Sequence, residues 1–430
     1  MSVAETAERL IYRVAGLPIA IGALLGVSGT GTSDTLQSAF ADRYWHPEVA
    51  QEWAELAGAL VLWPIGLLAA SAWFTLRNGP VVRRRYGKSL PTQMKEQVKF
   101  YFSDGVLPPW YYIFSLHDDG DMRAPTFIER FETKTCYFRL LKARKGTPLN
   151  DKGRFAEFCT RNGIRCVPTL MSLDGSRPDG ALPDRDLFVK PTAGRGGRGA
   201  ERWDRIAPSI FCGPNDEQLT SAELLERLVE HSKRQPLIVQ PRERPHPGLL
   251  SLTAGALPTV RVLTCHNADG EPEVMAAMIR TSFGKNRTVD NLHAGGIGAL
   301  VDISSGTLSK ASNLGSDARL GWFSVHPDTA APIEGRVIPF WEEVKAAAVA
   351  AHRHFNDRVV VGWDIAILED GPMFIEGNGN PDLDILQRFM PVGFREHRFA
   401  ELLAYHLRQR GAVPVRRAER QDKAAGSTVA

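Results

Sequence analysis

Three oxygen-bearing side chains near the C-terminal end raise the question of chemistry. In GPMFIEGNGNPDLD, residues 371–384, an apolar run leads into Glu376 and Asn378. Strand side chains alternate between faces, so residues two apart share one. A turn signal, EDG at 369–371, separates this run from VGWDIAIL, which carries Asp364. Centring a hairpin on Asp370 sets Asp364 opposite Glu376, with Cβ atoms about 5 Å apart, and puts Asn378 one step further on the same face. Two facing carboxylates repel, and a divalent cation between them removes that repulsion. A donor set made only of oxygen suits Mg²⁺ or Mn²⁺, and Mg²⁺ commonly shares phosphate oxygens from a substrate. A solvated hairpin face, or a lysine or arginine inserted between the acids, satisfies the same spacing. Asn380 and Asp382, further along, either face an acceptor or shape the turn.

A second centre is DLFVKPTAGRGGRGAERWD, residues 186–204. Gly194, Gly196 and Gly199 match GxGxxG, but no long helix follows, as a dinucleotide fold requires, and there is no GxxxxGK[ST]. What remains is a glycine-rich loop flanked by Arg195 and Arg198. Its backbone N–H groups, unshielded by Cβ atoms, suit closing over polyphosphate. Lys190, on the strand before it, adds a fixed positive charge. A basic surface loop has the same composition.

These groups need elements to hold them. Helical spacing is present in PTQMKEQVKFYFSDG, DKGRFAEFCTRNGI, FWEEVKAAAVAAHRHF and EHRFAELLAYHLRQR. RCVPTL, DLFVK, PLIVQ, TVRVLTCH and EVMAAMIR read as strands, and AERWDRIAPSIF as a short return strand. Many hairpin-like neighbours point to an α+β chain. Its 430 residues, 43% hydrophobic, allow more than one core. A formal net charge of +3 gives no sign of a nucleic-acid partner. Five scattered cysteines without a CxxC pair argue against a zinc site or disulfide framework and for reduced thiols.

The N-terminal region differs from the rest. Leu56–Leu76 carries no charge, and as a helix it would extend about 31 Å, close to a bilayer core. Arg77, Arg83, Arg84 and Arg85 follow, which by the positive-inside rule puts the remainder in the cytoplasm. VAGLPIAIGALLGVSG, from Val14, reads as a first membrane helix, making a hairpin whose connecting residues 34–55 carry several acidic and few basic residues and lie outside. A signal-peptide core or an interfacial helix are the other readings of this stretch. The expected organisation is a membrane-anchoring region at 1–76, with helices at 14–33 and 56–76. A basic linker at 77–90, the start of the catalytic region at 91–150, its main domain at 151–410 and a disordered tail at 411–430 follow.

In this order, Lys152, Lys190 with its glycine loop, IVQPRERPHPGL, TVRVLT, TVDNLHAGGIG, HPDTAAPIEGRVIPFW and the Asp364–Asn378 hairpin resemble the sugar-transfer-associated ATP-grasp family, over residues 90–405. The chain is also similar to ribosomal-protein glutamate ligases and alanine ligases. The resemblance implies an ATP-grasp fold, two α/β subdomains closing on ATP. It implies that Lys152 and Lys190 hold ATP phosphates under a lid containing Gly194, Arg195, Gly196 and Gly197, and that Val239, Gln240 and Pro241 form the adenine hinge. It further implies that Asp364, Glu376 and Asn378 ligate Mg²⁺ (or Mn²⁺), that Arg261 and Arg280 steady an acyl phosphate, and that Asn291 and His293 lie on the acceptor side. For the ribose hydroxyls the acid is Glu243 or none. The implied activity is ATP-dependent joining of a carboxylate to an amine or other nucleophile, on a glycan-linked precursor at the cytoplasmic face of the inner membrane. An ATP-grasp kinase and a membrane assembly factor that binds nucleotide without turnover remain as alternatives.

Overall fold

The computed structural model describes residues 10, 13–22, 32–118, 124–141, 147–193, 197–253, 255–284, 287–313 and 321–411. Gly194, Arg195 and Gly196 of the glycine loop, and nearly all of the C-terminal tail, lie outside these residues.

Five helices come first. α1 (Arg13–Gly22) is short and apolar, and α2 (Thr32–Trp45), α3 (Ala50–Tyr86), α4 (Leu90–Asp104) and α5 (Pro108–Ile113) follow. Two expectations change here. The segment read as an external loop forms α2, whose Leu36 and Ala39 share a core with Cys136 and Leu403 of the catalytic region. Its Asp42 pairs with Arg139 at 2.6 Å, so this acid serves a packing partner. The segment read as a linker continues α3 to Tyr86, where Gly87 caps it at φ 70° and donates to Arg83 O. Arg83, Arg84 and Arg85 suit the negative end of the helix dipole, so these basic residues extend the helix. Ser89 then caps α4, accepting from Thr92 N at 3.3 Å.

Beyond α6 (Arg130–Leu140) and α7 (Lys152–Arg161), the chain builds two antiparallel sheets. The smaller holds β1 (Met171–Leu173), β2 (Leu187–Pro191), β3 (Glu201–Ala207), β4 (Ile210–Cys212), β5 (Gln218–Thr220) and β6 (Leu237–Pro241), in the order β1-β6-β2-β3-β4-β5. α8 (Ser221–Ser232) covers it, burying Leu224 and Leu228 with Leu187, Val189 and Val239. RCVPTL is not a strand. Pro168 lacks a donor, and only Cys166 bridges to Phe374.

The larger sheet holds β7 (Thr259–His266), β8 (Pro272–Thr281), β9 (Ile297–Val301), β10 (Leu308–Ser312), β11 (Trp322–Phe323), β12 (Val360–Leu368) and β13 (Gly371–Asn378), in the order β11-β10-β9-β8-β7-β12-β13. α9 (Trp341–His352) packs on one face with Val260, Trp363 and Phe374. α10 (Asp384–Phe389) and α11 (Arg398–Gln409) pack on the other, with Leu263 and Met278.

The β12–β13 hairpin sets the register of the site. Its turn is Glu369–Asp370, since Leu368 faces Gly371, and Ile365 faces Phe374. One residue, Ile375, is then left over as a bulge, and Asp364 meets Glu376. A turn centred on Asp370 gives the same pairing only because the bulge makes up the difference.

Candidate active site

Each candidate side chain is placed by ordinary local rules. Asp151 caps α7 by accepting from Arg154 N at 2.9 Å, which starts the helix at Lys152. Lys152 N also donates to Thr192 O, holding α7 to the end of β2. On β2, Leu187 and Val189 enter the small core, so Phe188 and Lys190 take the other face. Gln240 pairs with Phe188 in register and shares that face, and its amide donates to Val167 O at 3.2 Å.

On the large sheet, Glu376, Asp364 and Arg261 are successive register partners across β13, β12 and β7. Arg280 enters the row from β8, opposite Thr259. The Asp364 carboxylate accepts from Arg261 Nε, from Arg261 Nη2 at 3.0 Å and from Arg280 Nη2 at 2.9 Å. Burial alone would raise its pKa, but the two guanidiniums outweigh burial and hold it well below the carboxylate range. Burial likewise opposes the charge on Arg280, and Asp290 and Asp364 more than restore it.

These elements converge on one cleft between the sheets. It is lined by Lys152, Lys190, Gln240, Pro241, Gly197, Arg280, Asn291, Asp364 and Glu376 among the expected residues. Lys152 Nζ lies 3.8 Å from Glu376 Oε2, linking the two sides. Lys190 is 6% exposed, and burial pushes its pKa down to about 8. Gly197, at φ 71°, presses on Val289, where a Cβ would come within 2.8 Å. This brings the lower end of the glycine loop onto the 287–291 segment. Glu243 lines the cleft as well, and burial raises its pKa.

Some expected residues stand elsewhere. Val239 has its side chain in the small core, and its carbonyl already accepts from Leu170 N at 2.8 Å. Arg261 touches the cleft only through Asp364, as the bonds above describe. Asn291 stays on the cleft lining but uses its side-chain oxygen to accept from His293 N at 2.8 Å, and His293 itself is exposed outside that lining. Asn378 lines a neighbouring cleft with Lys134, Tyr137 and Arg358, and its oxygen accepts from Asn380 N. Lys134 bonds Asn380 O at 2.9 Å and Asp382 at 2.7 Å, so these two residues tie the loop after β13 to α6.

Sequence reasoning passed over Asp290, which is buried against Arg280 and accepts from Thr259 N at 3.0 Å. It sits directly before Asn291 in TVDNLHAGG, in a polar stretch where nothing in the local pattern marks it as buried. The apolar lining, Val167, Phe188, Leu257 and Ile375, was passed over too. Phe188, two places before Lys190, was recoverable from strand alternation.

The donor set fits a divalent cation under one condition. Among the described residues, no group of three or more His, Cys, Asp or Glu is gathered as for a metal. Asp364 and Glu376 face each other, and each carboxylate oxygen has more than one lone pair. Yet among the residues lining the cleft, Lys152, Lys190, Arg198, Arg202, Arg242, Arg280 and Arg287 outnumber Glu243, Asp290, Asp364 and Glu376. A bare cation meets a net positive field, whereas one that arrives on a polyphosphate does not. Asp364 and Glu376 are the residues that would hold it.

The family described as sugar-transfer associated ATP-grasp matches residues 133–396. No curated protein sequence matches the chain. Among solved structures, the D-alanine–D-alanine ligase from Bacillus anthracis complexed with ATP is similar at 11% identity and TM-score 0.35, over 61% of this chain and 67% of that one. The D-alanine–D-alanine ligase from Coxiella burnetii is similar at 12% identity and TM-score 0.31, over 65% and 60%. The D-alanyl-alanine synthetase A from Vibrio cholerae is similar at 11% identity and TM-score 0.36, over 61% and 65%. The chain thus spans about two thirds or less of the length of these structures.

Proposed function

We propose, for a chain that belongs to the sugar-transfer associated ATP-grasp family and has its ATP-grasp fold, that it is an ATP- and Mg²⁺-dependent ligase joining a carboxylate to an amine or related nucleophile. The carrying observation is the convergence of Lys152, Lys190, Arg280, Asp364 and Glu376 on one cleft between two sheets. Lys152 and Lys190 are assigned to the phosphates and the apolar lining around Phe188 to the base. Gln240 and Pro241 edge the base pocket, and Glu243 is the acid available to the ribose.

The proposed reaction has two displacements. A carboxylate oxygen attacks the γ-phosphorus and ADP leaves, giving an acyl phosphate. The nucleophile then attacks the acyl carbon, and phosphate departs with the original carboxylate oxygen. Mg²⁺, when bound, neutralises charge on the transferring phosphoryl group. Arg280, held by Asp290 and Asp364, is already oriented toward the charge that develops and needs no reorganisation at the moment of reaction. The segment at Gly197, closed onto Val289, supports exclusion of water from the acyl phosphate. No enzyme nucleophile is needed.

The substrate is proposed to be a glycan-linked carboxylate, such as a uronic acid, at the cytoplasmic face of the membrane. The family's association with sugar transfer and the long apolar helix α3 support this. The test supplies the purified chain with ATP, Mg²⁺, an amino acid and a uronic-acid glycan precursor. ADP release in step with an amide product is expected. Equal turnover on free amino acids alone contradicts the glycan assignment, and ADP release without any carboxylate contradicts the ligase.

A further inference from the structure

Helix α3 is apolar on its outer face as well as on part of its inner one. Its buried face carries the polar Ser71, Thr75 and Asn78 beside Leu56, Ala59, Leu67 and Val82. Thr75 accepts from Gln97 at 2.7 Å, and Gly79 O accepts from Gln93, so polar bonds join α3 to α4. Its outer face is apolar: Trp53, Val61, Ile65, Leu68 and Leu76 stand exposed at helical spacing, Val61 and Leu76 by 72% and 71%. Phe102 of α4 is also 60% exposed, its ring against Trp63 of α3. A helix that faces water carries charged and polar groups on that outer face instead.

The helix has 37 residues, about 55 Å in length, and is long enough to cross a bilayer. Its attachments argue against crossing. The element before it, α2, is fixed to the catalytic region through Arg408 and Thr35 at 3.0 Å, as well as Asp42 and Arg139. Its middle packs there too: Trp63 stacks on Tyr101 at 6.2 Å, in a cluster with Phe131 of α6. Its end, Tyr86, meets His117 at 4.8 Å. A spanning helix carries one end about 30 Å from the other side. Here the start, middle and end all rest on one body.

We infer that α3 lies in the plane of the bilayer surface, its outer stripe sunk into an anionic leaflet. Charge complementarity selects this occupant. Arg77, Arg83 and Arg84 are exposed at the C-terminal end of the stripe, and Lys95 is exposed on α4. Trp53 and Trp73 flank the stripe as residues of the headgroup boundary do. Basic residues beside an apolar stripe match anionic lipid, and a second copy of the chain would set like charges together. Docking in this way would hold the catalytic cleft at a fixed distance from lipid-borne substrates. The inference rests on the membrane part of the proposed function and not on the ligase chemistry.

The test uses the full chain with phosphatidylcholine vesicles, with and without phosphatidylglycerol. Flotation with the anionic vesicles is expected, and the double variant Val61→Glu/Ile65→Glu loses it while keeping its melting temperature and nucleotide binding. In membranes of an expressing bacterium, Glu48→Cys and Pro91→Cys are labelled by an impermeant maleimide from the same side. Labelling from opposite sides overturns in-plane docking alone. A chain that ignores both kinds of vesicle, or that covers the stripe by dimerising, overturns the membrane reading with it.

Discussion

Lys190 is the buried cation on the phosphate side of the cleft. Burial lowers its pKa to about 8, and phosphate beside it favours the charged form. Nucleotide binding above about pH 8 therefore takes up a proton, and affinity falls as pH rises further. Calorimetry in buffers of different ionisation enthalpy at pH 8.5 checks this, and Lys190→Met removes the uptake. Asp364 and Glu376 part company in a second measurement. Removing Asp364 leaves Arg261 and buried Arg280 without their shared carboxylate, so Asp364→Ala lowers stability by about 3–5 kcal/mol in denaturant titration. Glu376 is half-buried and 3.8 Å from Lys152, so Glu376→Gln changes stability by less than about 1 kcal/mol and still abolishes turnover. The types and order of these residues were legible in the sequence. An arginine partner for the acids was one reading of the spacing, but which arginines clamp Asp364 was not legible, because it depends on β7 lying beside β12 and β8 beside β7, pairings that strand periodicity does not encode.

At the scale of elements, the β12–β13 hairpin carries the site. Gly377 sits between Glu376 and Asn378 on the opposite face, and a Cβ there would lie 2.5 Å from Leu149 and 2.8 Å from Trp363. Gly377→Val pushes β13 off Trp363, with a loss of about 1–3 kcal/mol in melting experiments and of turnover through displaced Glu376. Alternation along the strand revealed which residues share a face. It did not reveal the bulge at Ile375, because a bulge adds a residue without changing composition. The N-terminal elements were harder to read for a related reason. Apolar length in α3 marks a candidate membrane segment but is silent on what its two flanks touch, and only packing of α2 against α6 and α11 supplies that.

For the whole molecule, the two sheets form a cleft with more cations than acids. Polyphosphate closes this imbalance, and a bare cation does not. MgATP at 100 times its Kd raises stability by about 2.7 kcal/mol in thermal-shift titration, whereas Mg²⁺ alone at the same concentration leaves the melting temperature unchanged. The ligase reading itself is tested most directly by oxygen transfer. The carboxylate substrate is labelled with ¹⁸O, the reaction is run to completion with ATP, and the released phosphate is examined by mass spectrometry. An acyl phosphate moves one labelled oxygen from substrate to phosphate. Phosphate free of label, with the phosphoryl group retained on the acceptor, contradicts the ligase and leaves a kinase.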